Sequence, residues 1–210
     1  MFFDQTEYNI RCEWGQQGVQ RLAPISDVVI IVDVISFSTA VDIATARGAY
    51  LFPYDKEEGV DEFGKRVGAV IAGPRSRGFK LATFGSIEAD RLVLPSPNGA
   101  TLSCLAGEAI VLAGCLRNAR AVAHAAMKLG NTIAVIPAGE RWPDTNIRFA
   151  TEDFVGAGAI LAHLEGDFSP EAQSAVAVYN NVKDNVYEYI KRCSSGKKLT
   201  ELADDVYCAC

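Results

Sequence analysis

The chain has 210 residues, 49% of them hydrophobic and 22% charged, with a net charge of -6. That length and balance describe a folded chain with one sizeable core and exclude a disordered one. The negative charge argues against a nucleic-acid or anionic-membrane surface, and no apolar run reaches the ~18 residues of a membrane span.

The N-terminal stretch MFFDQTEYNIRCEW has an early acid and lacks the basic-then-apolar order of a signal peptide, so a cytoplasmic location is expected. Six scattered cysteines, Cys12, Cys104, Cys115, Cys193, Cys208 and Cys210, then read as free thiols. Val28–Val32 is an unbroken β-branched run that ends in Asp33 and the hydroxyl-rich turn VISFST. A carboxylate at the end of such a strand is costly unless it is paired, hydrated or bound to a metal. An Ala-rich helix follows over Thr39–Arg47 and stops at Gly48. Asp55–Lys65, with five acids and two lysines, reads as a solvated helix face.

Ala69–Ala72 is a second strand, and GPRSRGFK after it carries Arg75, Arg77 and Lys80. Leu94 closes a further apolar segment before PSPNGAT, where Asn98-Gly99 signals a turn and Thr101 is placed to cap a helix. Ala109–Ala113 is a third strand, followed by Arg117 and Asn118, and Asn118–Leu129 reads as a helix ending at Gly130. A fourth strand, Thr132–Pro137, leads into Ala138-Gly139-Glu140-Arg141-Trp142. The next helix, Thr151–Leu164, opens with Glu152 and Asp153 in its first turn, and Ser169-Pro170-Glu171 starts another.

Apolar strands without polar alternation, interleaved with helices, predict an α/β layered fold whose mostly parallel sheet is flanked by helices. One domain over 1–210 is expected, with 1–26 as an extension of it. Ligands in such folds bind beyond the carboxyl ends of the strands. Five strand ends bring carboxylates, hydroxyls, an amide, arginines and exposed N–H groups to that edge. Carboxylates without His or Cys suit a hard cation such as Mg²⁺, and arginines with helix N-termini suit phosphate. Together they suit phosphoryl transfer.

Taken singly, each feature has a plainer reading. Asp33 is equally a helix N-cap, Asn98-Gly99 a turn, Glu152 and Asp153 dipole-compensating acids, and GPRSRGFK an exposed basic loop. His124 and His163 lie within helical patterns and read as structural. There is no G-x-x-x-x-G-K-[ST] phosphate loop, no G-x-S-x-G elbow, and no Cys-dependent phosphatase loop, since Cys115 to Arg120 is one residue short. Asp33 resembles the nucleophile of haloacid-dehalogenase-like phosphatases, but Ile35 stands where their second aspartate belongs.

The ordered set VVIIVDVISFSTA, AGPRSRGFKLATFGS, VLPSPNGAT, LAGCLRNARAVA, VIPAGERW and ATEDFVGAGAI resembles the ComB family, the 2-phosphosulfolactate phosphatases. The resemblance runs from about Asp27 to the end of the chain. It implies a Mg²⁺-dependent phosphomonoester hydrolase of ComB-like fold, whose named substrate lies on the route to coenzyme M. Asp33 matches the family's strand-end aspartate, Asn98 and Gly99 its T-N-G-T turn, Gly139 its C-A-G turn, and Glu152-Asp153 its L-E-D helix start. Three departures stand out: Ser36 occupies the place of an arginine, Pro95-Ser96-Pro97 replaces a threonine-rich approach, and Gly73-Pro74-Arg75 replaces G-E-R.

The function expected is hydrolysis of a small anionic phosphate ester. Asp33, Glu152 and Asp153 are the candidates for catalysis, and the same three with Glu140 for holding the metal. Ser36, Ser38, Arg75, Arg77, Asn98, Gly99, Arg117 and Gly139 are the candidates for holding substrate and phosphate. The partner is thus a small molecule rather than nucleic acid or membrane, and a homo-oligomer is left open. The rival reading is a non-hydrolytic binding protein for a phosphorylated or dicarboxylic acid.

Overall fold

A computed structural model describes residues 2–56, 58–72, 89–144, 146–198 and 209–210. Nine strands and nine α-helices are found among them. In chain order they are β1 (Ile10–Cys12), α1 (Gly15–Leu22), β2 (Val28–Val32), α2 (Phe37–Thr45), β3 (Tyr50–Tyr54), α3 (Val60–Val67), β4 (Val70–Ile71), β5 (Arg91–Pro95) and α4 (Gly99–Leu105). There follow β6 (Ile110–Gly114), α5 (Ala119–Leu129), β7 (Ile133–Pro137), β8 (Glu140–Arg141), β9 (Ile147–Arg148), α6 (Thr151–Leu161), α7 (Pro170–Val182), α8 (Val186–Arg192) and α9 (Ser194–Lys198).

The α/β class expected from the sequence holds, but the strands form two parallel sheets rather than one. The first has the order β1-β7-β2-β6 and the second β3-β5-β4, while β8 and β9 make a small antiparallel hairpin. The unbroken apolar runs are explained by burial on both faces. Alternate residues of β2 and β7, Val28, Ile30, Val32, Ile133 and Val135, face a core shared with α5, α6 and α7. Val29, Ile31, Ala134 and Ile136 face the opposite core, which α1 and α4 complete. The first of these cores also takes in Leu92 and Leu94 of β5, so it is continuous with the second sheet.

Register sets the height of the strand ends. Val32 pairs with both Gly114 and Pro137, so β2, β6 and β7 finish level. In the second sheet Tyr54 pairs with Pro95, and the Ser96 N–H continues the ladder to the Tyr54 carbonyl at 3.3 Å.

Several boundaries differ from expectation for local reasons. The helix expected from Thr39 starts at Phe37, because the Ser38 N–H bonds the Asp33 carbonyl at 2.9 Å and closes the turn early. It ends at Thr45, where N–H bonds from Arg47 and Gly48 reach back only three residues. The same tightening at His163 and Leu164 ends α6 at Leu161 instead of Leu164. Helix α4 starts at Gly99 with Asn98 as its N-cap residue, so Thr101 does not cap it. The Ser169 cap is as expected, its hydroxyl accepting the Ala172 N–H at 3.1 Å. Acids Asp61 and Glu62 open α3, and Lys65 and Arg66 close it, all exposed as a solvated face requires.

Helix α6 lies against α7 at Gly158, where an added Cβ would collide with the Ala175 backbone carbonyl and meet Tyr179 Cβ at 2.8 Å. A backbone carbonyl cannot rotate away as a side chain does. Gly158→Ala is therefore expected to destabilise the protein by about 1–3 kcal/mol, despite the ~1 kcal/mol that alanine adds in a free helix. Thermal unfolding checks this, and an unchanged or raised Tm would refute the close approach.

Candidate active site

The level ends of β2, β6 and β7 deliver Asp33, Cys115 and Ala138 to one edge, and the loop after β5 crosses to meet them. Asp33 is the centre of the contact. Its side chain is buried, and Oδ2 accepts the Gly99 N–H at 2.9 Å and the Ser96 hydroxyl at 3.4 Å. Gly99 comes this close because it lacks a side chain: a Cβ there would collide with the Phe37 ring at the start of α2. Ser96 also accepts the Asn98 N–H at 3.2 Å, so one buried hydroxyl ties Asp33 to the loop that leads into α4.

Asn98 carries the contact outward. Its Nδ2 donates to Glu140 Oε1 at 3.2 Å, and that oxygen also accepts the Arg141 N–H at 3.1 Å. The Arg141 guanidinium donates to the Pro97 carbonyl at 3.4 Å. The first two residues of the β8–β9 hairpin thus clasp the Ser96–Gly99 loop.

Asp153, in the first turn of α6, clamps two strand exits. Its Oδ1 accepts the Val34 N–H at 2.8 Å and its Oδ2 the Gly139 N–H at 2.9 Å. Gly139 has a φ of 73°, the left-handed conformation that turns its N–H toward α6. Burial, then the charges of Glu152 and Asp33, raise the Asp153 pKa well above the ordinary carboxylate value, against the two N–H bonds. Negative charge has been concentrated here beyond what the backbone donors offset.

The neighbouring Glu152 is equally buried but reaches elsewhere, its Oε2 accepting the Cys193 thiol at 3.3 Å. Burial first, and then the Glu152 charge, push that thiol up to about 11. Glu152 and Asp153 therefore differ in their hydrogen-bond partners, although the sequence presents them as a pair.

Ser36 has φ 142° and ψ -71°, a region other residues than glycine rarely occupy, and stands as the N-cap residue of α2 without a side-chain cap bond. Such backbone strain, about 1–3 kcal/mol, gathers at functional sites. Ser38, a candidate for phosphate, is wholly buried: its hydroxyl accepts the Asp33 N–H at 3.0 Å and donates to the Ile31 carbonyl at 3.1 Å. Both bonds lie within the turn that it builds. Arg117 lies past the end of β6 and pairs with Asp42 of α2 at 2.9 Å. Arg75 and Arg77 lie outside the described residues. His124 and His163 are exposed, and the five described cysteines are free, Cys208 lying outside the described residues.

Two residues at the site were not singled out from the sequence, Ser96 and Arg141. Both stand at strand ends already flagged, Ser96 between two prolines and Arg141 two residues after Gly139, so the position rule alone would have included them. Among the described residues no three His, Cys, Asp or Glu side chains are gathered to hold one ion. A Mg²⁺ here would rely on one or two carboxylates, with water and substrate oxygens completing the shell, which is its ordinary mode of binding. Among the described residues no helix is long and apolar enough to cross a membrane.

Residues 17–210 match the family described as 2-phosphosulpholactate phosphatase. The chain is 33% identical over 195 residues to the 2-phosphosulfolactate phosphatase of Methanothermobacter thermautotrophicus, covering 87% of this chain and 82% of that protein. It is 28% identical to a probable 2-phosphosulfolactate phosphatase of Carboxydothermus hydrogenoformans, over 86% of this chain and 81% of that one. The identity to the probable enzyme of Thermotoga maritima is also 28%, over 86% and 84%. With the match spanning nearly the whole length and the aspartate-centred strand ends inside it, the chain belongs to the 2-phosphosulfolactate phosphatase family, whose members are phosphoric monoester hydrolases.

Proposed function

We propose that the protein hydrolyses the phosphate monoester of a small anionic 2-hydroxy acid, 2-phosphosulfolactate or a close relative, with Mg²⁺ as cofactor. The observation that carries this reading is the buried Asp33 carboxylate, held by the Gly99 N–H and Ser96 hydroxyl at the meeting of two sets of strand ends. Membership of a phosphatase family favours turnover over the non-hydrolytic binding alternative.

In the reaction water attacks phosphorus, the bond from phosphorus to the ester oxygen breaks, and a proton from water ends on the released hydroxyl. Asp33 is the carboxylate beside the reacting phosphoryl group. Ser96 and Gly99 fix its orientation, so no reorganisation is needed at the moment of reaction. Asp153 keeps the β2 and β7 exits in register without touching substrate, and Ser36 opens the α2 N-terminus toward the phosphate. Asp33 and Glu140, both bonded to the Ser96–Gly99 loop, would hold Mg²⁺. The ion would supply charge stabilisation for the phosphoryl oxygens, and it would offset the Asp33 charge that, after burial and Glu152, raises the Asp153 pKa.

The test is phosphate release from 2-phosphosulfolactate with Mg²⁺, after EDTA, and after Mg²⁺ is restored. Release that disappears with EDTA and returns with Mg²⁺ is expected. No release under any divalent ion would overturn the hydrolase reading, and release indifferent to EDTA would remove the metal from it.

A further inference from the structure

We infer that Arg141 is the specificity-determining residue that binds the substrate's second anionic group, its sulfonate or carboxylate; the inference rests on the phosphatase reading above. The 2-phosphorylated hydroxy acids carry that acid group within a bond or two of the ester carbon. The cation that recognises it must therefore stand close to the phosphoryl group, beside the loop that holds Asp33.

Arg141 meets that requirement. It follows Glu140, which bonds Asn98 at 3.2 Å, and its own Nη2 donates to the Pro97 carbonyl at 3.4 Å. Pro97 is the neighbour of Ser96, whose hydroxyl touches Asp33. The guanidinium is on an exposed residue, and among the described residues the long bond to Pro97 is its one side-chain contact. A guanidinium has five N–H donors, so most of the fork is left to face a ligand. Its planar geometry suits two oxygens of one carboxylate or sulfonate.

Two other described arginines are engaged otherwise. Arg117 is paired with Asp42 at 2.9 Å, and the Arg148 guanidinium lies over the Trp142 ring at 5.5 Å from its centroid. Arg141 is also presented by the β8–β9 hairpin, which the Gly139 turn and the Asp153 clamp fix at its base. The cation is thus positioned by the same carboxylate that organises the strand ends.

Steady-state hydrolysis of 2-phosphosulfolactate by the wild type, Arg141→Ala and Arg141→Lys, with inorganic phosphate as competitive inhibitor, tests this assignment. For Arg141→Ala kcat/KM should fall about 10–100-fold, mostly through KM, the loss expected of one charge-assisted contact. The inhibition constant of inorganic phosphate, which lacks the second acid, should stay within about twofold. Arg141→Lys should recover part of the loss, since it restores charge without the fork. An unchanged kcat/KM overturns the assignment. So does a phosphate inhibition constant that rises in step, which would make Arg141 a phosphate ligand or a staple for the Pro97 loop. A wild type that releases no phosphate overturns the phosphatase reading instead, and this inference with it.

Discussion

An Asp33→Asn variant should lose about 10²–10⁴-fold in Mg²⁺-dependent phosphate release while unfolding close to the wild-type temperature. The asymmetry follows from what the substitution leaves in place. An asparagine oxygen still accepts the Gly99 N–H and the Ser96 hydroxyl, so the loop before α4 keeps its anchor. The charge beside the phosphoryl group is what disappears. Phosphate release and a melting curve on the same preparation check both halves. Full activity would remove Asp33 from the chemistry, and a collapsed Tm would make it a structural residue.

Asp153→Ala should have the opposite profile, with a large effect on stability. Its two carboxylate oxygens serve the N–H groups of Val34 and Gly139, residues 119 and 14 positions away in sequence. Each orphaned buried donor costs about 1–3 kcal/mol, and removal of a charge repelled by Glu152 and Asp33 offsets part of that. A net loss of about 2–4 kcal/mol is expected, or roughly 4–16 °C in Tm for a chain of this size. The adjacent Glu152→Gln is the informative control. Its carboxylate accepts one thiol among the described residues, so its loss should stay within about 1 kcal/mol. Equal effects at the two positions would show that Asp153 is not the clamp.

Legibility along the chain follows burial. β2 and β7 lie inside the first sheet with both faces covered, so an unbroken apolar run identified them nearly to the residue. β3, Tyr50–Tyr54, carries Pro53, which in a sequence argues against a strand. It is an edge strand, where a missing N–H is tolerated. β1 is three residues long and carries Arg11, whose guanidinium is satisfied by the Tyr8 and Ile25 carbonyls at 2.7 and 2.8 Å. Neither its length nor its composition signals a strand.

At the site, the position rule for strand ends brought forward Asp33, Asn98, Gly99, Gly139, Glu140 and Asp153 together, because that rule depends only on where strands stop. It did not separate their duties. Ser38 and Glu152 stand among its candidates, and in the structure the hydroxyl of one closes a turn while the carboxylate of the other takes a thiol.

The sequence by itself determined the α/β class, the interior strands of the first sheet, the family and the edge on which polar side chains gather. These depend on local pattern and on motifs in order. Only the tertiary structure decided that the strands divide into two sheets, that Asp153 is a clamp and Asp33 the centre, and that Ser96 and Arg141 join it. Those outcomes depend on which backbone N–H groups lie within hydrogen-bond distance of which carboxylate across long separations in sequence. Such a distance is a property of packing, which no single segment contains.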